Sequence, residues 1–163
     1  MKVTTIDSAY EKEPLIQPFG FKGGYLTEIW QSIVRLTGSG DHQAVGLGSQ
    51  SVLWSDSTVF RKYSEHEGNL IMYSVTQRAL EIIKGQSFSD PLVMLDNILD
   101  EVYAYARKVT REPDLRKTFP LNALVPVDNA MWLLYAREKG ISNFDSMIPE
   151  KYRPAFAEQH DQI

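Results

Sequence analysis

Phe119-Pro-Leu-Asn-Ala-Leu-Val-Pro-Val-Asp-Asn-Ala-Met-Trp-Leu-Leu-Tyr-Ala-Arg-Glu-Lys-Gly140 is the stretch whose reading decides the fold. Its apolar residues are too continuous for a helix half-exposed to water, so it reads as a buried helix from about Phe119 to Lys139. Gly140 is a good left-handed stop, and Pro126 is expected to kink the helix or delay its start. Asp128 is the one carboxylate in the apolar body of the stretch. A charge there needs hydrogen-bond or ionic partners, and a structural pairing with a neighbouring loop or with Arg116 is the expectation.

Upstream of that helix the apolar period remains helical. Leu70, Ile71, Val75, Ala79, Ile82 and Ile83 predict a helix over about 66–84, ended by Gly85. Ser89-Asp90-Pro91 supplies an N-cap with proline in the first turn, and Leu92 to Ala106 carries an apolar stripe to about Val109. The first third of the chain is different. β-Branched and aromatic residues, with turn signals at Gly23-Gly24 and Gly38-Ser-Gly-Asp41, predict strands near 2–12, 25–37 and 42–50. Trp30, Val34 and Leu36 share one face of the second strand and Ile29 and Ile33 the other, which implies burial on both faces and a central position. The expected fold class is α+β: a three-stranded antiparallel meander followed by a bundle of three or more helices.

A chain of 163 residues, 43% hydrophobic and 23% charged, is one domain of ordinary soluble composition. A net charge of -4 without a basic run argues against nucleic acid. The lack of cysteine excludes disulfides and thiolate chemistry and fits a cytoplasmic protein. No apolar run has the length of a membrane helix, so no membrane partner is expected. Residues 1–140 form the expected domain, and residues 141–163, with Pro149 and Pro154, read as a linker with one helical turn near Pro154 to Glu158.

Local features suggest little chemistry. Glu65-His66-Glu67 lacks the second histidine that a helical zinc site needs, and it reads as a solvated helix start. His42 in a turn and His160 in the polar tail read as surface residues. Gly46-Leu-Gly48 lacks the third glycine of a dinucleotide fingerprint and reads as a bulge or a close backbone approach. Asp96, Asp100 and Glu101 read as a solvated acidic face. Trp54, a tryptophan among serines, is either a lid contact or a plug against the helices.

The buried helix, with Ala123, Val127-Asp128, Ala130 and Trp132, follows Ile33-Val-Arg-Leu-Thr-Gly-Ser-Gly40 and Ala44-Val-Gly-Leu-Gly-Ser49. In that order the segments resemble the N-terminal capping domain of the enolase superfamily, in the mandelate racemase and muconate lactonising branch. The resemblance spans roughly residues 3–140 and implies a lid that closes over the mouth of a barrel domain absent from this chain. It implies no catalytic or metal residue here, and magnesium for the full-length enzyme, which abstracts a proton next to a carboxylate. The implied outcomes are racemisation, epimerisation, cycloisomerisation or dehydration.

Two loops of such a domain face the substrate. The matching positions are Gln17 to Tyr25, with Phe19, Phe21, Lys22 and Tyr25, and Ser49 to Asp56, with Gln50, Ser51 and Trp54. An aromatic wall and one ammonium suit a small carboxylate-containing substrate. The pattern departs at Ser49, where many relatives have Glu, and at Ile141 to Ile148, which lacks their Pro and Leu-Leu-Gly-Gly turn. The implied partner is the barrel. The rival reading is a freestanding binding or assembly module that uses the former barrel-facing surface. A cap without its barrel exposes apolar surface, so self-association into a homo-oligomer is expected.

Overall fold

The computed structural model describes residues 1–155. Three antiparallel strands, β1 (Val3–Phe21), β2 (Gly24–Gly38) and β3 (Gln43–Gln50), form a meander in the order β1-β2-β3. The helices α1 (Val52–Ser55), α2 (Ser57–Lys62), α3 (Glu65–Ile83), α4 (Pro91–Thr110) and α5 (Thr118–Lys139) follow. A single 3-10 turn lies at Glu150–Tyr152. The architecture is the expected α+β meander with helices on one side.

The strand period explains that sidedness. Trp30, Ser32, Val34 and Leu36 alternate inward along β2, and Ala44, Gly46, Gly48 and Gln50 do so along β3. They meet α3 and α5, whose buried faces include Met72, Val75, Ala79, Val127, Ala130 and Leu134. Burial of both faces of β2 is not found. Ile29 and Ile33 are only half-buried, because no helix covers their side. The central position of β2 comes from the hairpin topology.

α5 lies close against β3 because two glycines permit it. A Cβ on Gly46 would collide with the Pro126 carbonyl oxygen and the Ala130 nitrogen, and one on Gly48 would strike the Pro126 ring. Gly46-Leu-Gly48 is therefore a close backbone approach, the outcome expected of it. The helix runs through Pro126 from Thr118 to Lys139. Its Asn122, Asn129 and Arg137, about two turns apart, donate to the carbonyls of Ser49, Leu47 and Gln43. Those side chains cap acceptors on the outer edge of β3 that would otherwise invite another strand.

The helix ends are built as their sequences predict. Ser64 and Glu67 form a reciprocal capping box on α3. The Asp90 side chain accepts from the Val93 N–H at 3.0 Å at the start of α4. Lys151 Nζ reaches the same carboxylate at 2.9 Å and ties the segment after α5 to the start of α4. Burial pushes the Asp90 pKa up, but hydrogen bonds from Lys151, Val93 and Ser89 outweigh it and leave the group below the usual carboxylate range. The helical turn expected near Pro154 to Glu158 lies mostly outside the described residues; Pro154 and Ala155 are helical.

Candidate functional site

The first of the two loop segments is not a loop. β1 and β2 extend as a hairpin arm to a two-residue turn, Lys22-Gly23, with φ of 48° and 77° at those residues. Positive φ at both central residues matches the right-handed strand twist, and glycine meets that need without strain. Pro14 and Pro18 flank a break in register between Pro14 and Phe19. An irregularity of this kind lets a prolyl nitrogen sit in a strand without a missing ladder bond.

The second segment is helical. Val52 and Leu53 of α1 are buried, whereas Trp54 is 53% exposed. That exposure removes the plug reading of Trp54. Three groups from α5 and its approach hold the turn in place. Asn122 Oδ1 accepts from the Ser51 N–H at 2.8 Å and from the Ser55 hydroxyl, and its Nδ2 donates to Ser49. Thr118 donates its hydroxyl to the Ser55 carbonyl at 2.6 Å. Asp56 caps α2 through the Thr58 and Val59 N–H groups and also accepts from the Arg116 N–H.

The hairpin tip and α1 meet. Lys22 Nζ donates to the Trp54 carbonyl at 3.2 Å and lies 5.3 Å from the Phe21 ring centroid and 5.9 Å from that of Trp54. Phe19 and Phe21 stack with centroids 6.3 Å apart. Phe19 and Tyr25 are exposed large rings on the same arm. Leu53 and Phe60 pack against Gly24, where a side chain would collide with the Phe60 ring. The result is an aromatic ledge with one ammonium, built from segments that lie about thirty residues apart in sequence.

Not every proposed position belongs to that ledge. Gln50 is turned inward, with Nε2 donating to the buried Ser32 hydroxyl at 2.7 Å. Ser51 is held through its backbone by Asn122. Asn122 itself was not singled out in the sequence, since an asparagine in an apolar helix gives no signal of what it holds seventy residues away.

Glu65-His66-Glu67 is more than a solvated start. Glu65 accepts from the Thr27 N–H at 3.0 Å and from the Thr27 hydroxyl, fixing the base of the arm to α3. His66 Nδ1 lies 3.1 Å from Lys12 Nζ, and Glu67 completes the capping box. The hydrogen bonds from Ser64 hold the Glu67 carboxyl below its ordinary pKa. Trp30 sits behind these groups, stacked on Tyr10 at 4.4 Å.

Among the described residues Asp128 has no hydrogen-bond or ionic partner. Its Oδ1 is buried without a hydrogen bond, and burial raises its pKa. The expected pairing with Arg116 is not found, and no ion pair to Asp128 forms among the described residues. Among the described residues no group of three His, Asp or Glu side chains converges to hold a metal ion, and no helix is long and apolar enough to cross a membrane.

No family model and no curated protein matches this sequence. Solved structures do match, over 85% of the chain. L-Ala-D/L-Glu epimerase from Bacillus subtilis aligns at 17% identity and a TM-score of 0.54, with 32% of its chain covered. L-Talarate dehydratase from Polaromonas sp. JS666, complexed with Mg and L-glucarate, aligns at 16% and 0.53, with 33% covered. A mandelate racemase/muconate lactonizing protein from Herpetosiphon aurantiacus aligns at 13% and 0.50, with 32% covered. The chain shares the fold of the matched part of these structures. It spans about a third of the length of each structure it matches. In this fold the hairpin arm meets α1 through Lys22, and the segment that follows α5 is tied to the start of α4 by Lys151.

Proposed function

We propose that this chain is the lid and substrate-specificity domain of a divalent-metal-dependent enzyme of the enolase superfamily, similar to mandelate racemase and muconate lactonising enzymes. The catalytic barrel belongs to a longer protein, in which residues 141–163 lead from the capping domain of residues 1–140 into it. The observation that carries this reading is the bridge from Lys22 to the Trp54 carbonyl, which joins the two substrate-facing segments into one ledge. Phe19, Phe21, Tyr25 and Trp54 give that ledge apolar surface, and Lys22 gives it a cation suited to a carboxylate. Gln50 and Ser51 act from behind, as the floor and the anchor of α1.

The reaction of such an enzyme removes a proton next to a carboxylate and ends in racemisation, epimerisation, cycloisomerisation or dehydration. Magnesium in the full enzyme would be held outside the described residues and would supply stabilisation of negative charge developing next to the carboxylate. Among the described residues no group of three His, Asp or Glu side chains converges to fit magnesium, so no step is assigned to them through the metal. Their part is to exclude water and to orient the far end of the substrate, which lowers the barrier through position rather than bond chemistry. The chain alone is inactive on this reading, and the enzyme is cytoplasmic.

Two measurements test the proposal. The intact mass of the cellular product is expected to exceed this chain by about 200 residues or more, the size of a barrel. A product that ends at Ile163 supports the rival, a noncatalytic binding module. In the full-length enzyme, Lys22→Ala is expected to raise KM by about tenfold, the worth of one charge-assisted hydrogen bond, and Trp54→Ala to lower kcat. Unchanged constants in both variants would remove the lid role.

A further inference from the structure

One side chain fastens the corner between β3 and α1. Asn122 of α5 donates Nδ2 to the Ser49 carbonyl at 3.1 Å, and its Oδ1 accepts from the Ser51 N–H at 2.8 Å and from the Ser55 hydroxyl at 3.2 Å. A backbone N–H only donates and a carbonyl only accepts, so both ends of this amide are fixed by their partners. Asn122 thus grips the strand before the corner, the residue that opens α1 and the residue that closes it. Ser51, the N-cap position, makes no cap with its own side chain.

A helix of four residues has no stability of its own, because nucleation costs more than one turn returns. The place of α1 is therefore set by what holds it. Thr118, one turn before Asn122 on the same face of α5, donates to the Ser55 carbonyl at 2.6 Å. Val52 lies against Gly68 of α3 and Leu53 against Gly24 of β2. Trp54 alone points its ring outward, and the carbonyl that receives Lys22 is its own. Whatever places α1 places both the apolar wall of the ledge and the acceptor of its cation. The frame behind the clamp is firm, since Gly46 and Gly48 seat α5 directly on β3. The hairpin arm is held separately, by Glu65 on Thr27.

We propose that Asn122 is a positioning residue for substrate discrimination, acting through α1 on Trp54 and Lys22 without touching the substrate. A change at position 122 alters which substrates the ledge accepts while every ledge residue stays the same. The role in discrimination rests on the lid role proposed above. The clamp on α1 does not, and it is read on this chain by itself.

The first readout is amide exchange and fluorine NMR of this chain carrying 5-fluorotryptophan at its three tryptophans. Asn122→Leu removes all three bonds at nearly constant volume. Exchange of the Ser51 amide is expected to rise about tenfold or more, and the Trp54 signal to move. The Thr27 amide, held by Glu65, and the signals of Trp30 and Trp132 are expected to stay as they are. Asn122→Asp keeps the acceptor and should restore the protection of Ser51. If the leucine variant does not fold, Thr118→Val removes the bond to Ser55 alone and should move the same Trp54 signal. A Trp54 signal that ignores every folded variant overturns the proposal, because α1 then stands without the clamp. Exchange that rises equally at Ser51 and Thr27 overturns it too, because Asn122 then serves only general stability.

The second readout is kinetic. In the full-length enzyme Asn122→Leu is expected to lower kcat/KM by about tenfold alone, and by less than about twofold when Lys22→Ala and Trp54→Ala are already present. Losses that multiply would show that Asn122 does not act through those two groups. Inert Lys22→Ala and Trp54→Ala variants remove the lid role and the part of Asn122 in discrimination, whereas the exchange result decides the clamp independently.

Discussion

Asp128 is held where its charge is unwelcome. Oδ1 is buried and unpaired, and burial is the cause of its raised pKa. A carboxyl whose folded pKa lies above its unfolded value binds more protons in the native state between the two, so stability falls as pH rises through that window. Asp128→Asn is therefore expected to stabilise the chain by about 1 kcal/mol at pH 7, the scale of one buried unsatisfied polar group. The gain should vanish below the unfolded carboxylate pKa of about 4. Thermal unfolding of both proteins across that range checks it; equal midpoints at pH 7 would show that Asp128 finds a partner in solution. Asp90 has the opposite sign. Its folded pKa is lowered, so the stability it lends is present above the unfolded value and is lost as pH falls through the folded one. The sequence marked both residues as special, but only Asp90 disclosed its job, because its cap is local. The partner expected for Asp128 is not found, because whether a second side chain meets a buried carboxylate is decided by tertiary packing that no spacing rule describes.

At the scale of elements, what the sequence disclosed is what periodicity carries. α3, α4 and α5 fall within a residue or two of their expected ends, because an apolar stripe agrees at each with a cap or a terminal glycine: Gly85 follows α3, Asp90 caps α4 and Gly140 ends α5. The hairpin arm and α1 were hidden for a physical reason. Prolines and glycines between Pro14 and Gly24 read as a loop, yet a register break and a tight turn absorb them within two strands. α1 is only four residues long and survives through tertiary bonds from Asn122 and Thr118, not through its own propensity. Phe19, Phe21, Lys22, Tyr25 and Trp54 thus come together while Gln50 and Ser51 stand apart, and the device that unites the five was not visible in the sequence. Gly46 shows how tightly the elements fit. Gly46→Ala forces a methyl against the backbone of α5 and is expected to cost about 1–3 kcal/mol or more. Val45→Ala, one residue away on the open face, should cost less than half as much in the same denaturant titration. Similar losses in the two would mean that α5 does not rest on the glycines.

At the scale of the whole molecule, the chain has more apolar surface than its charge can manage alone. Val45 and Leu47 on the uncovered side of the sheet, Leu133 on α5, and Phe144 and Met147 beyond Gly140 border a groove of about 530 Å³. Leu47 is 57% exposed and Phe144 79%. Contiguous apolar patches of this kind are rare on monomers and are normally covered by something. With only a net charge of -4 to keep copies apart, the isolated chain is expected to associate with itself, which sedimentation over a wide concentration range would show. Leu47→Asp places a carboxylate on the exposed face of β3 without disturbing the buried one, and should shift the equilibrium to monomer by about tenfold or more. A wild-type chain that stays monomeric at every concentration would sink the expectation. The longer protein then separates the two readings of function. If a barrel covers this face, association through Leu47 disappears when the barrel is present; if the chain is a freestanding assembly module, the same substitution weakens the natural oligomer. One surface residue, far from the ledge, therefore reports on whether the domain is a lid or a binding module.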